Sequence, residues 1–282
     1  MAPEKNKYNV DAYERRHIVS YCGPREVIFK LEISGSTNAS ESDPKCCVRR
    51  WFPQVGCSRW VLSFQISEEV TAADSHKGIV MRIMIVSGSH RQESQSSRVA
   101  QYIGNDLVRI DPTLVIDSFS LSGNPLPLWD ESVWQKSSTL ASLWKPVRDR
   151  MQLAHAFVFV TPEWAGMVPP ALKNLLLFAG QREVGHKPAI LVGVSSARGG
   201  SYPISELRMS GYKNNRLLII PEHILVQDAA DMLLGEEPAD ERDSWLRKRI
   251  TFANRLLLEY GKAVGSIRAS GLTEDADFPY GM

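Results

Sequence analysis

From Met81 onward, the sequence predicts an α/β fold of three layers around a five-stranded parallel sheet, with an irregular extension before it. Three observations predict this. Short apolar runs rich in Val, Ile and Phe recur, as strands covered on both faces require. Segments with apolar residues at helical spacing separate them, and strands alternating with helices build parallel sheets. The joints between them are rich in Gly, Ser and Pro, which is turn chemistry.

The first strand is expected over 82–87 and the first helix over about 94–108, with Val99, Ile103 and Leu107 on one face. Asp111-Pro112 ends that helix, and 114–119 reads as the second strand. A loop rich in Gly, Pro and Trp spans 120–134. A helix near 138–154 follows, with Leu140, Leu143, Val147 and Met151 on one side; Pro146 either starts its main part or kinks it. Ala156 to Val160 is the third strand. The helix from Pro169 or Pro170 to about Ala179 has proline in its first turn, where a missing N–H costs nothing. Strand four covers 189–194, a helix covers 203–211, and strand five lies within 217–226. The last helix spans roughly 240–264, and 267–282 reads as a loose tail. The folded domain is thus expected over 81–266.

The first 80 residues do not match this pattern. Aromatic residues are scattered without a sustained period, and two short runs, 26–33 and 60–66, could be strands around a polar tract at 34–44. A small appended domain, a loosely ordered extension and a start codon placed too early all fit, and the last two are favoured. Cys22, Cys46, Cys47 and Cys57 all lie here, without the spacing of a zinc site. No cysteine follows Met81, so thiol chemistry is excluded there. Residues 81–282 carry 22 basic and 22 acidic side chains, and the whole chain has a net charge of +1, which gives no argument for nucleic acid or an anionic membrane. The polar stretch Met1 to Tyr13 shows no secretory signal, and no apolar run is long enough for a bilayer. A cytoplasmic, soluble protein is expected.

In a parallel sheet, ligands collect beyond the C-terminal strand ends. Three unusual loops, 88–96, 162–168 and 195–201, each follow a strand and so belong on that edge. In the first, Ser89, Ser94 and Ser96 offer hydroxyl donors and Arg91 a charged fork, ahead of a helix N-terminus whose free N–H groups suit a phosphate. The same stretch also reads as an ordinary βα turn with a serine N-cap. It is neither a Walker A loop nor a G-x-G-x-x-G fingerprint. The second loop, with Pro162, Trp164, Gly166 and Met167, offers the apolar, backbone-edged surface a flat ring needs. The third is Gly-rich and admits close approach. A phosphate at one end and a planar ring at the other describe FMN. No Ser–His–Asp order, carboxylate pair or metal cluster competes. His90, His155, His186 and His223 receive no catalytic role, and no metal is expected.

These motifs resemble those of the NAD(P)H-dependent FMN reductase family of flavodoxin-like proteins, which includes quinone and azo-dye reductases. Gly88-Ser89-His90-Arg91-Gln92-Glu93-Ser94-Gln95-Ser96 is similar to its Gly-Ser-x-Arg-x-x-Ser-x-Asn, with Ser96 in the Asn place. Pro162-Glu163-Trp164-Ala165, followed by Pro169 and Leu172-Lys173-Asn174, is similar to its Pro-Glu-Tyr-Asn…Leu-Lys-Asn, with Ala165 replacing an amide side chain. Leu126-Pro127-Leu128-Trp129-Asp130 resembles its Leu-Pro-Leu-Tyr-Asp loop, and Ser196-Ala197-Arg198-Gly199-Gly200 its Gly-Gly loop.

The resemblance implies a flavodoxin-like fold and an oxidoreductase that passes a hydride from NADPH or NADH through FMN to a quinone, free flavin, azo compound or similar acceptor. It places Ser89, Arg91, Ser94 and Ser96 on the phosphate. Pro162, Glu163, Trp164, Ala165, Gly166 and Met167 would lie at the ring, Ser196, Gly199 and Gly200 on its far side, and Trp129 toward the substrate. It requires no catalytic side chain, since the chemistry is borne by the flavin. It also implies a homodimer or homotetramer. A non-enzymatic flavin-binding electron carrier and a regulatory protein that kept the fold are the alternatives; the neutral charge count argues against the first of these, and the missing family asparagines support the second.

Overall fold

The structure is a computed structural model that describes residues 80–278 and three upstream strands. The chain divides into two compact units, Met1–Ile79 and Val80–Met282. In the first unit β1 (Arg16–Cys22) pairs antiparallel with β2 (Arg25–Gly35), and β2 pairs antiparallel with β3 (Trp60–Ser63). Two of these strands fall on the expected runs, although 64–66 and most of the polar tract lie outside the described residues. β1 was not expected.

The second unit carries β4 (Arg82–Ser87), α1 (Gln95–Ile110), β5 (Val115–Ser120), α2 (Thr139–Leu153) and β6 (Ala156–Pro162). Then come α3 (Pro170–Phe178), α4 (Gln181–Val184), β7 (Pro188–Val194), α5 (Ser201–Met209), β8 (Leu218–Val226), α6 (Glu241–Ala263) and α7 (Gly265–Ala269). Every strand pair in this unit is parallel, in the order β5-β4-β6-β7-β8. This is the flavodoxin-like order. The chain winds outward from β4 to β5, then returns past β4 to β6, so winding reverses between β4 and β6. Pro146 lies inside α2, where its ring removes the donor to the Ser142 carbonyl.

Side-chain alternation splits the core into two layers. Ile83 and Ile85 of β4, Val158 and Val160 of β6, and Ile190 and Val192 of β7 pack under α1 and α6. Met84, Val86, Phe157, Phe159 and Leu191 point the other way, under α2 and α3. All seven residues of β6 and of β7 are buried. That explains their uninterrupted apolar runs, each such side chain contributing about 1.5–3 kcal/mol by burial. Between α1 and α6, the buried Asp106 accepts hydrogen bonds from Arg109 (3.1 Å), Thr251 (2.9 Å) and Asn254 (2.9 Å). Arg98, in the first turns of α1, donates to the carbonyls of Ala229, Met232 (2.7 Å) and Leu233 (3.0 Å).

At the opposite edge of the sheet from the loops, His155 accepts the Arg82 N–H at 3.0 Å. Lys187 is 6% exposed and donates to the last-turn carbonyls of α2, Met151 and Gln152, at 2.9 Å each. A cation at a helix C-terminus is favoured by the helix dipole. Burial nevertheless pushes the amine down to about 8, Arg268 adds to the fall, and Glu183 opposes it. Between about 8 and the ordinary lysine value, the unfolded chain holds a proton that the native chain has lost. Stability therefore rises with pH through this window. Lys187→Met should flatten that rise, as read from urea midpoints between about pH 7.5 and 10.5. A slope unchanged in the variant would show that Lys187 is not its source.

Candidate functional site

The loops after β4, β6 and β7 meet at one edge of the sheet. Gly88 N–H donates to the Val160 carbonyl at 2.7 Å, which extends the β4–β6 pairing into the first loop. Ser89 is buried, and its hydroxyl accepts the Arg91 N–H at 3.3 Å. Ser94 caps α1: its Oγ accepts Ser97 N–H at 3.1 Å, and Ser97 Oγ lies 3.0 Å from both Ser94 Oγ and Ser87 Oγ. Gln95 and Ser96 occupy the first turn of α1, where N–H groups have no partner within the helix. Among the described residues no other acceptor satisfies them, or the His90 N–H. The loop is thus a set of amide donors at the positive end of a 16-residue helix. The Ser96 side chain is itself buried in that first turn.

In the second loop, Trp164 and Met167 exchange both backbone hydrogen bonds, at 3.2 and 2.9 Å. The two residues between them are left-handed, Ala165 at φ 49° and Gly166 at φ 71°. That is a type I′ turn, which favours Asn-Gly because only Gly, Asn and Asp reach positive φ at low cost. Ala165 stands where an asparagine would relieve the backbone. Trp164 does not pack under α3. Its ring meets His90 edge-on, with centroids 4.2 Å apart, and the Arg91 guanidinium lies 5.5 Å above it. The indole therefore joins the second loop to the first, and exposed Arg91 is stacked on it.

Glu163 joins the second loop to the third. Its carboxylate accepts the Gly200 N–H at the N-cap of α5. A Cβ at Gly199 would lie 2.9 Å from Glu163 Oε1, so a side chain there would push that carboxylate aside. From the other direction, Glu206 of α5 accepts Val168 N–H (2.7 Å) and Lys173 Nζ (2.6 Å). Burial pushes its carboxyl up, but the bonds from Lys173 and Val168 outweigh this and hold it below the usual range. Ser196 is exposed at the tip of the third loop, whose Ala197 carbonyl accepts Asp228 N–H at 2.9 Å.

The fourth segment is fastened by Asn174. Its buried amide accepts Trp129 N–H at 2.9 Å and donates to the Pro127 carbonyl at 2.7 Å. Trp129 meets Trp134 edge-on at 5.5 Å. Pro162 ends β6 within the core, and Met167 is 53% exposed beside the turn. Reasoning from sequence assigned no role to Asn174 or Glu206. Asn174 could have been found in the Leu-Lys-Asn motif, whereas nothing in the sequence around Glu206 singles it out. Among the described residues, no group of three His, Cys, Asp or Glu could hold a metal ion, and no helix is long and apolar enough to cross a membrane.

A family model described as NADPH-dependent FMN reductase matches residues 81–231. A quinone reductase of Pseudomonas putida is 30% identical over 128 residues, which are 44% of this chain and 64% of that protein. An NADPH azoreductase of a Bacillus species is 24% identical over 131 residues, 46% of this chain and 68% of the azoreductase. The chain thus spans a little under two thirds of the quinone reductase it matches. The solved flavoenzyme NAD(P)H:(acceptor) oxidoreductase of Paracoccus denitrificans superposes with a TM-score of 0.53 at 18% identity, covering 65% of this chain and 98% of that one, and shows the shared fold.

The type I′ turn yields a direct test. Ala165→Asn should raise stability by about 1 kcal/mol, or roughly 2–4 °C in Tm, by removing the left-handed cost of alanine. Differential scanning calorimetry of the two proteins measures it, and an unchanged or lowered Tm would contradict the turn assignment.

Proposed function

The chain belongs to the NADPH-dependent FMN reductase family, and on that premise we propose that it is an NAD(P)H oxidoreductase that binds FMN on the three-loop edge and serves a small-molecule acceptor such as a quinone, an azo compound or free flavin. The observation that carries the reading is the pairing of an amide-lined phosphate loop with a ring-sized turn, held together by Trp164 and Glu163.

The residues present fit that cofactor. The N–H groups of His90, Gln95 and Ser96, with the Ser89 and Ser94 hydroxyls, would hold the phosphate; Arg91 would add charge from the face of Trp164. Pro162, the Trp164–Met167 turn and Gly199–Gly200 would border the ring, and Trp129 would stand on the substrate side. When bound, FMN supplies the hydride and electron chemistry. The protein supplies position: Glu163 sets the spacing of the second and third loops, Glu206 fixes the second loop against α5, and Asn174 fixes the Trp129 segment. No side chain is asked to hold a proton, because solvent can protonate a reduced quinone or flavin. We extend the reading to a homodimer or homotetramer, supported by Leu128, Trp134, Met167 and Tyr202, which are 79%, 74%, 53% and 67% exposed.

The purified protein should bind FMN in a fluorescence titration and oxidise NADPH when a quinone is added. Arg91→Ala should weaken FMN binding by about tenfold or more, the loss of one charge-assisted contact. Absence of FMN binding in the parent would leave a flavin-free regulatory protein, and FMN binding without NADPH oxidation would leave an electron carrier.

The domain boundaries are tested separately. A chain starting at Met81 should remain soluble and bind FMN as the full chain does. Insolubility or a large fall in Tm would show that the first 80 residues complete the fold.

A further inference from the structure

Away from the three loops, a groove of about 820 Å³ runs between α1, α6 and the segment 235–238 that leads into α6. None of its lining residues belongs to the loops after β4, β6 or β7. Its volume falls in the usual range for small-molecule sites, roughly 300–1,000 Å³. Its wall is built rather than accidental. Arg247 is 11% exposed and is anchored by buried Asp243 at 3.0 Å. From there it donates to the carbonyls of Leu234 (2.9 Å), Gly235 (3.3 Å) and Glu236 (2.7 Å), pinning the segment that forms one bank. Tyr102 of α1 lies against the same guanidinium at 5.3 Å.

The charge in the groove is uneven. Arg109, Arg247, Lys248 and Arg255 line it, against the single carboxylate of Glu236. Two of these cations are already balanced, Arg247 by Asp243 and Arg109 by buried Asp106. Lys248 and Arg255 have no ion-pair partner among the described residues. They stand seven residues apart on α6, about 10 Å along its axis, on the same side. Phe252 lies between them at helical spacing and is 52% exposed, with Arg249 over one face of its ring at 5.5 Å. A groove with two unspent cations flanking an exposed ring is complementary to an anion that carries a flat ring of its own.

We propose that the α1–α6 groove binds a small aromatic phosphate of the nucleoside monophosphate class, with Lys248 and Arg255 on the phosphate and Phe252 against the base. The assignment is independent of the flavin reading, because the groove shares no residue with the loop edge.

The test is isothermal titration of AMP into the full chain saturated with FMN, so that any phosphate site on the loop edge is occupied. AMP should bind saturably and more weakly as salt is raised, and adenosine and inorganic phosphate should each bind at least about tenfold more weakly than AMP. Lys248→Glu combined with Arg255→Glu should lower AMP affinity by about a hundredfold, one factor of ten or so for each charged contact, while circular dichroism and any NADPH oxidation stay at parent levels. Phe252→Ala should weaken AMP and leave inorganic phosphate unchanged. AMP affinity equal in the parent and the double variant, no AMP binding to the parent, or adenosine binding as tightly as AMP would each overturn the proposal. Should the chain bind no FMN at all, the same double variant still decides, since it leaves the loop edge intact.

Discussion

Parallel strands deliver their loops to one edge of a sheet without fixing the distance between them. In this protein that distance rests on the Glu163 carboxylate, which accepts the Gly200 N–H and fills the space a side chain at Gly199 would need. A carboxylate at the start of a helix is favoured by the dipole and satisfies a donor that the helix cannot. Glu206 returns the contact from α5 to Val168, so the second loop is tied to the third loop at one point and to the helix that follows it at another. Trp164 then ties this pair to the first loop. Remove the carboxylate, and the Gly200 N–H is left buried without its acceptor, a cost of roughly 1–3 kcal/mol concentrated where the loops meet.

Two departures from the family motifs take on physical meaning in this setting. Ala165 keeps the left-handed turn without the residue that suits it, so the backbone shape of the loop is enforced by its neighbours: the paired Trp164–Met167 bonds and the Glu206 clamp. Trp164 in place of a tyrosine gives a larger ring, and His90 and Arg91 both use it.

Most of the fold was legible because it is written in burial. β4, β6 and β7 are covered on both faces and read as apolar runs, and the loops after them carry the Gly, Ser and Pro that turns demand. Local elements were less legible. α4 has four residues and no period to detect, and α7 runs across the boundary at which a loose tail was expected to begin. α5 begins at Ser201, two residues ahead of the expected start, because Gly200 and the Glu163 carboxylate form its cap. β1 escaped notice although Gly23-Pro24, a turn dipeptide, separates it from β2. At the site, the motif residues were legible as types, whereas the clamps Glu163–Gly200, Glu206–Val168 and Asn174–Trp129 join positions 37 to 45 residues apart, beyond the reach of any local pattern.

Arg98 follows the first loop by two residues and has the charge to serve an anion there. Its guanidinium is instead spent on the carbonyls of Ala229, Met232 and Leu233, and Arg91 is stacked on an indole. The mouth of α1 therefore presents backbone dipoles and, from the face of Trp164, the single guanidinium of Arg91. Dipoles fall off faster with distance than ions do and draw no counterions that must be shed. An anion seated there would be selected by fit to a cup of amides, and of its contacts the one to Arg91 would weaken most as salt is raised.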